Sequence, residues 1–466
     1  LSKNLKTTLL PQKNNPMNRL KILIFTTGLL LCSCFVQAFT QSAPTPPMGW
    51  NSYNCFGATV TGGEMRANAK MMAVHLKDVG WQYVVVDYCW SYPHVGALNN
   101  PPQTDDFEPR LAMDAYGRLL PALDRFPSAA DGLGFKALGD YIHSLGLKFG
   151  IHVMRGIPRQ AVAEDTPIFD SNYSAADIVD RDSECEWLDN MYGLNFENEG
   201  SQDYYNSLFK LYASWGVDYV KVDDILAHGP YHDRDIEALR KAIDQCGREM
   251  VLSLSPGAAP IDRAEHLKAN ANMWRMSPDF WDQWPKLVKM FDLAEQWYPH
   301  VGAGTWPDAD MIPIGKLSLR GPEGPERRSR FTQNEQRTLW ALWSIFRSPL
   351  MYGGDLTQMR PFELEMMRNE EMLYINQQSA NNRPLFRRGN HIAWTADDPQ
   401  SDDIFLAVFN LGEDDLTPVY VPLDDLGLFG TVRVRDIFWK TDLDPVETAF
   451  LPVVGKHEGR LYRLSP

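Results

Sequence analysis

Positive charge is short in this sequence: 45 Lys and Arg stand against 60 Asp and Glu, a formal net charge of −15. Neutralising phosphates takes clustered Lys and Arg, so nucleic acid is excluded as a partner. Cysteine is scarcer still, with six in 466 residues. Cys55, Cys89, Cys185 and Cys246 stand far apart, with no CxxC pair and no His-rich cluster, which argues against a zinc site. An exported chain could pair some of these thiols, but their spacing fixes no connectivity. No GxGxxG follows the first strand pattern, which weighs against an open dinucleotide-binding sheet. Internal repeats and low-complexity linkers are missing too, and no motif calls for a cofactor.

Long apolar runs are absent, with one short exception. From Met17 the chain reads MNRLKILIFTTGLLLCSCFVQAFTQSAP. Arg19 and Lys21 form a positive start, Ile22–Val36 an apolar stretch, and Val36-Gln37-Ala38 a small-residue cleavage site. The stretch is too short for a transmembrane span and no stop-transfer charges follow, so 17–38 reads as a secretory signal peptide. The mature protein is then exported, to the periplasm, the cell surface or the medium. Leu31-Cys32-Ser33-Cys34 resembles a bacterial lipobox, which would make Cys34 a lipid anchor. Losing the basic leader takes the net charge from −15 towards −20, because residues 1–38 hold five basic residues and no acids. Oligomeric state is not legible.

The chain does have alternation. From Thr45 a short apolar strand, a polar or glycine-rich loop and an amphipathic helix recur. Strand patterns fall at Met48–Tyr53, Tyr83–Asp87, Lys148–Val153, Tyr219–Asp223, Val251–Ser255, Ala271–Trp274, Val301–Gly304 and Pro349–Gly353. Helical patterns include Gly63–Asp78, Phe135–Leu145, Gln202–Trp215, Asp233–Gln245 and Thr332–Phe346. Eight such repeats over roughly 330 residues predict a (β/α)8 barrel over 45–383. Helical periodicity stops near Pro384, and short strands with turn residues follow: His391–Thr395, Ile404–Phe409, Pro418–Val421, Val432–Ile437 and Arg460–Leu464. Residues 384–466 read as a C-terminal antiparallel β-sandwich. The long insertion 154–200 is placed to wall an active site. The 14 Trp suit core packing and also flat platforms for sugar rings.

In a parallel barrel the chemistry sits where strands end. Four ends carry charge: Asp87 in VVVD, Lys221 and Asp223 in YVKVD, Arg275 and Asp279 in WRMSPD, and Asp308 and Asp310 in PDADM. Lys221 and Asp223 are two apart on one strand and share a side. A lysine beside a carboxylate keeps it ionised, as a nucleophile requires; a structural ion pair at the barrel mouth is the alternative. Asp279 lies among Trp274, Phe280 and Trp281, and an apolar wall would favour its protonated form. A cap on the following helix is the other use for it, and Asp282 is a second candidate acid. One ionised and one protonated carboxyl are the equipment of glycoside hydrolysis.

MGWNSYN (48–54), VVVDYCW (84–90), YVKVD (219–223), WRMSPD (274–279) and PDADM (307–311) together resemble glycoside hydrolase family 27, the metal-free retaining α-galactosidases and α-N-acetylgalactosaminidases. The likeness runs from about Pro46 to Pro466 and implies a carbohydrate substrate. It implies Asp223 as nucleophile and Asp279 as acid/base. Lys221, Arg275 and Asp310 would line the sugar subsite, and Asp87 would be the first of two carboxylates gripping the C4 and C6 hydroxyls. The chain departs from the pattern at several points. Tyr88 stands where the second carboxylate is usual, Tyr53 where Trp is frequent, and His152 where Tyr is usual. Ile225 replaces a cysteine after the nucleophile motif. In SLSPGAA, Ser255 and Ala258 replace a larger pair that crowds C2, as in α-N-acetylgalactosaminidases. Arg155 and Arg159 either read a further hydroxyl or anionic group, or bond loop carbonyls. Asp224 is assigned no chemistry, and Asp308 a supporting place.

Taken together these imply a secreted retaining exo-α-galactosidase. The alternatives are an α-N-acetylgalactosaminidase, favoured by Ser255 and Ala258, and a related enzyme with altered C4/C6 recognition, favoured by Tyr88. A non-catalytic sugar-binding protein would not need both carboxylates, Lys221 and Arg275 together.

Overall fold

The computed structural model describes residues 42–96, 103–226 and 230–466. The signal segment 17–38 and Cys34 lie outside the described residues. Eight strands form one parallel sheet: β1 Met48–Asn51, β2 Tyr83–Val86, β3 Lys148–Met154, β4 Val217–Asp223, β5 Val251–Leu254, β6 Met273–Arg275, β7 Trp306–Asp308 and β8 Leu350–Tyr352. Strands β1 to β7 are neighbours in chain order, and β8 pairs with β1. Beyond β7 the chain runs on to Ile312, which bridges Tyr352 in parallel and donates its N–H to Met351 O at 2.7 Å. That contact closes the sheet into a (β/α)8 barrel.

The seventh strand is not Val301–Gly304. Gly302 and Thr305 exchange backbone hydrogen bonds there, at 3.0 and 2.9 Å, and close a tight turn that delays the strand to Trp306. Helices α1 (Gly62–His75), α2 (Lys136–Ser144), α3 (Gly200–Ser214), α4 (Asp233–Gln245), α5 (Ala264–Asn270), α6 (Trp284–Trp297) and α7 (Gln333–Phe346) follow successive strands. Thr61 with Glu64 and Thr332 with Glu335 make capping boxes that start α1 and α7.

Strand periodicity decides what faces inward. Tyr83, Val85, Tyr219, Val251, Met273, Trp306 and Met351 pack together inside the barrel. The alternate residues Val84, Val86, Val220, Val222, Leu252 and Leu254 face the helices in the main core. Followed upward, the inward series on β2 runs Tyr83, Val85, Asp87, and on β4 Tyr219, Lys221, Asp223. An apolar plug fills the lower barrel, and charge appears at its C-terminal mouth.

The insertion after β3 folds as a three-stranded antiparallel sheet, Ile157–Pro158, Val179–Glu184 and Met191–Leu194. The C-terminal part carries β9 Ala380–Arg388, β10 His391–Asp397, β11 Ile404–Asn410, β12 Val432–Asp436, β13 Thr441–Val446 and β14 Gly459–Ser465. Their order is β9-β10-β11-β14-β12-β13, antiparallel throughout. Two short ribbons, Thr417–Pro418 with Val453–Val454 and Val421–Pro422 with Ala449–Phe450, cover this sheet over Val408, Phe450 and Leu464. Strand β9 starts ahead of Pro384, and its polar opening, Asn381-Asn382-Arg383, carries no apolar alternation that would mark it in the sequence. Among the described residues no helix is long and apolar enough to cross a membrane.

Candidate active site

The floor of the site is an ion pair between two strands. Lys221 Nζ donates to Asp87 Oδ2 at 3.0 Å, and Asn51 Nδ2 donates to the same oxygen at 2.7 Å. The Tyr88 amide donates to Asp87 Oδ1 at 2.9 Å. Burial alone would raise the Asp87 carboxyl; the charges of Lys221 and His152 and these hydrogen bonds outweigh it and hold the group well below the carboxylate range. Burial likewise opposes the Lys221 ammonium, yet Asp87, Asp223 and Asp310 keep its pKa raised.

Asp223 has its own partners. His152 Nε2 lies 3.1 Å from Asp223 Oδ2, and Ser255 Oγ donates to Oδ1 at 2.8 Å. Burial pushes this carboxyl up, but the His152 hydrogen bond and charge, then Lys221 and Ser255, more than offset it, and Asp223 stays below the ordinary value. Lys221 therefore acts on Asp223 through its charge and on Asp87 by contact. The expected effect of Lys221 on the ionisation of Asp223 is present as charge, while its hydrogen bond goes to Asp87.

The loop after β6 carries the second carboxylate. Arg275 is buried; its Nη1 pairs with Asp310 Oδ1 at 2.8 Å, and its Nη2 reaches Ser277 O at 3.0 Å and Asp279 Oδ1 at 3.3 Å. The Phe280 amide donates to Asp310 Oδ2 at 2.8 Å. Asp279 is 52% exposed. The Arg275 guanidinium and solvent meet its carboxylate; of the three aromatic residues expected to wall it, Phe280 shares a small apolar cavity with Asp279, Trp281 packs near Tyr53 with ring centroids 6.4 Å apart, and Trp274 is buried in the main core. Asp308 and Asp310 share one buried position, and burial raises both. Asp310 is the one held by the Arg275 guanidinium, so the proton belongs to Asp308, pushed up to about 7 by burial and then by Asp310.

Asp87, Lys221, Asp223 and Asp279 line one cavity of about 600 Å³. The solved structure of a GH27 β-L-arabinopyranosidase from Geobacillus stearothermophilus is 49% identical, covering 92% of this chain and 98% of that one, with a TM-score of 0.89. The chain belongs to glycoside hydrolase family 27. Residues 193–378 match the Melibiase_2 model, described as alpha galactosidase A. An alpha-galactosidase 3 of Arabidopsis thaliana is 28% identical over 439 residues, 91% of this chain and 82% of its own. An alpha-N-acetylgalactosaminidase of Gallus gallus is 26% identical over 372 residues, 75% of each chain.

Within this family 27 glycoside hydrolase, the expected residues separate into two groups. Tyr53, Asp87, Tyr88, Lys221, Asp223, Ser255 and Asp279 line the cavity. His152, Arg275 and Asp310 lie behind it: His152 braces Asp223, while Arg275 and Asp310 brace the Asp279 loop. Ala258 is exposed, and Pro256 supplies the wall beside Ser255. Arg155 and Arg159 are structural. Arg155 donates to the Asp224 carbonyl and carboxylate, both at 2.9 Å, and Arg159 to Asp189 O at 2.7 Å. Asp224 is thus explained as the partner of Arg155 at the end of β4. Asp282 is removed as an acid, since its fully buried carboxylate accepts from Arg327 and Arg330. Cys55, Cys89, Cys185 and Cys246 are free thiols.

Sequence reasoning missed Glu186 and Trp187, which reach the cavity from the insertion, and Lys286 and Met311. Trp187 lies against Tyr88, ring centroids 6.0 Å apart. A Trp in an insertion already expected to wall the site was the available signal.

Proposed function

We propose that the protein is a retaining exo-glycosidase that removes terminal β-L-arabinopyranosyl groups. This sugar has the ring configuration of α-D-galactose without the C6 hydroxymethyl group. The observation that carries the reading is Tyr88. It follows Asp87 directly, where the family resemblance leads one to expect a second carboxylate for the C4 and C6 hydroxyls. Its ring is buried and packed edge-on to Tyr53 and His152, with Trp187 behind. A phenol so placed fills space beside Asp87 and offers no carboxylate to a C6 hydroxyl. The arabinopyranosidase relative at 49% identity supports the same reading.

The mechanism is a double displacement. Asp223, ionised and oriented by His152 and Ser255, attacks the anomeric carbon as Asp279 protonates the departing oxygen. Asp279, next to solvent, then takes a proton from water, which releases the sugar and regenerates Asp223. The Lys221–Asp87 pair holds the ring hydroxyls.

α-Galactosidase activity is the second reading, favoured because that floor addresses the part of the ring the two sugars share. The α-N-acetylgalactosaminidase reading keeps Ser255, which lines the cavity while donating to Asp223, but Ala258 is outside the lining. Export of the enzyme remains a proposal resting on 17–38.

The test is kcat/KM on the 4-nitrophenyl glycosides of β-L-arabinopyranose and α-D-galactopyranose. Wild type should prefer the pentoside by about tenfold or more, and Tyr88→Asp should move the ratio towards galactose. A wild-type preference for the galactoside would return the enzyme to the second reading.

A further inference from the structure

A second cavity, of about 170 Å³, lies behind the loop that carries Asp279. It shares Pro278, Asp279 and Lys286 with the substrate cavity, so the candidate acid forms the boundary between the two. The far side is apolar, made by Phe280 from the loop and by Met290 and Leu293 from α6. Ser277 also lines it; this residue is 3% exposed and its hydroxyl has no hydrogen-bond partner among the described residues. Lys289 stands at the rim on α6, exposed and without an ion pair or hydrogen bond among the described residues.

We propose that this cavity is the leaving-group subsite, and that it takes an aromatic aglycone bearing an anionic substituent. The inference rests on Asp279 being the acid. When the anomeric C–O bond breaks, the electron pair goes to the leaving oxygen and the Asp279 proton follows it, while Asp223 bonds the carbon. The oxygen must therefore sit at Asp279, and whatever it carries must continue away from the sugar. The shared wall points that group into the second cavity. Its volume suits one aromatic ring, since an apolar cavity of about 150 Å³ accommodates benzene. A second sugar would find few polar partners there. Ser277 offers one hydroxyl to a ring substituent, and Lys289 offers a positive charge at the mouth.

The experiment compares 4-carboxyphenyl and 4-carbamoylphenyl β-L-arabinopyranosides, nearly isosteric and differing in charge, with β-L-arabinopyranosyl fluoride, which has no aglycone. Wild type should favour the carboxylate by about threefold to fivefold at low ionic strength, and salt should shrink the preference. Lys289→Gln should bring that ratio to about one. Leu293→Trp, which fills the cavity, should lower kcat/KM on both aryl glycosides by at least about tenfold relative to the fluoride. Turnover of the fluoride with equal rates on the two aryl substrates, or with no relative loss in Leu293→Trp, overturns the subsite alone. Failure to turn over the fluoride overturns the proposed function beneath it.

Discussion

Lys221 donates to Asp87 at 3.0 Å across β4 and β2, although Asp223 is the next inward residue on its own strand. Nearly complete burial of both partners makes the pair structural and functional at once. Removing one member strands the other charge in a site that water reaches poorly. Lys221→Met should therefore raise the Asp87 carboxyl from its depressed value and weaken sugar binding. Truncating one partner of a buried, hydrogen-bonded charge pair at a binding site costs about 2–5 kcal/mol, so kcat/KM should fall by roughly two orders of magnitude. Steady-state kinetics should show most of the loss in KM. An unchanged KM would mean the pair does not touch substrate.

His152 makes a different prediction, because it contacts Asp223, the proposed nucleophile, and does not line the cavity. Its Nε2 lies 3.1 Å from Asp223 Oδ2 and offsets the burial that would otherwise raise that carboxyl. In His152→Phe the depressed pKa must rise, and Asp223 must be ionised to attack. The acid limb of the kcat/KM–pH profile should move to higher pH, while the alkaline limb stays in place. A profile merely scaled down, with both limbs fixed, would assign His152 a packing role.

These two residues show where the sequence was legible. A strand's side-chain period of two places Asp87, Lys221 and Asp223 on the barrel's inner face from their spacing alone, and the charge at strand ends marks the mouth. The same arithmetic cannot say whether an inward group meets substrate or another side chain. Arg275 ends β6 and Asp310 lies two residues past β7, but 2.8 Å separates their side chains and both lie behind Asp279. Asp282 looked like a spare acid because Arg327 and Arg330, its partners, are 45 and 48 residues away. Glu186 and Trp187 come from an insertion whose register is set by its own small sheet, so no local pattern aims them at the cavity.

Asp308 carries a pH prediction for stability. Burial, then the Asp310 charge, push its carboxyl up to about 7, against about 3.9 for an unfolded Asp. Below the unfolded value both states hold the proton; between it and about 7 only the folded state does. Stability from this group is therefore fully present at low pH and lost as pH rises through that window, at up to about 1.4 kcal/mol per unit. Asp308→Asn removes the titration and can still accept the Asp310 amide hydrogen bond, 2.9 Å in the wild type. The Tm of Asp308→Asn relative to wild type should be higher at pH 8 than at pH 5. A constant difference across that range would show that Asp308 does not hold a proton in the folded enzyme.

Gly257 ties the two halves of the site together. A Cβ on it would lie 2.2 Å from the Ser277 carbonyl oxygen and 2.7 Å from the Ser277 amide nitrogen, so the loop after β5 rests backbone on backbone against the loop after β6. The first loop begins at Ser255, which orients Asp223, and the second carries Asp279. Ala259 N–H donates to Arg275 O at 3.0 Å and fixes their spacing. Gly257→Ala must push these backbones apart, an overpacking that costs about 1–3 kcal/mol. The displacement falls between the proposed nucleophile and the proposed acid, so the chemistry should suffer beyond the stability loss. Glycosides with poor leaving groups need the proton from Asp279, and they should slow more than activated nitrophenyl glycosides. The readout is the ratio of kcat/KM on the two substrate types beside the Tm. A lower Tm with an unchanged ratio would confine Gly257 to packing, whereas a changed ratio makes the contact between these loops part of how the acid is held in place.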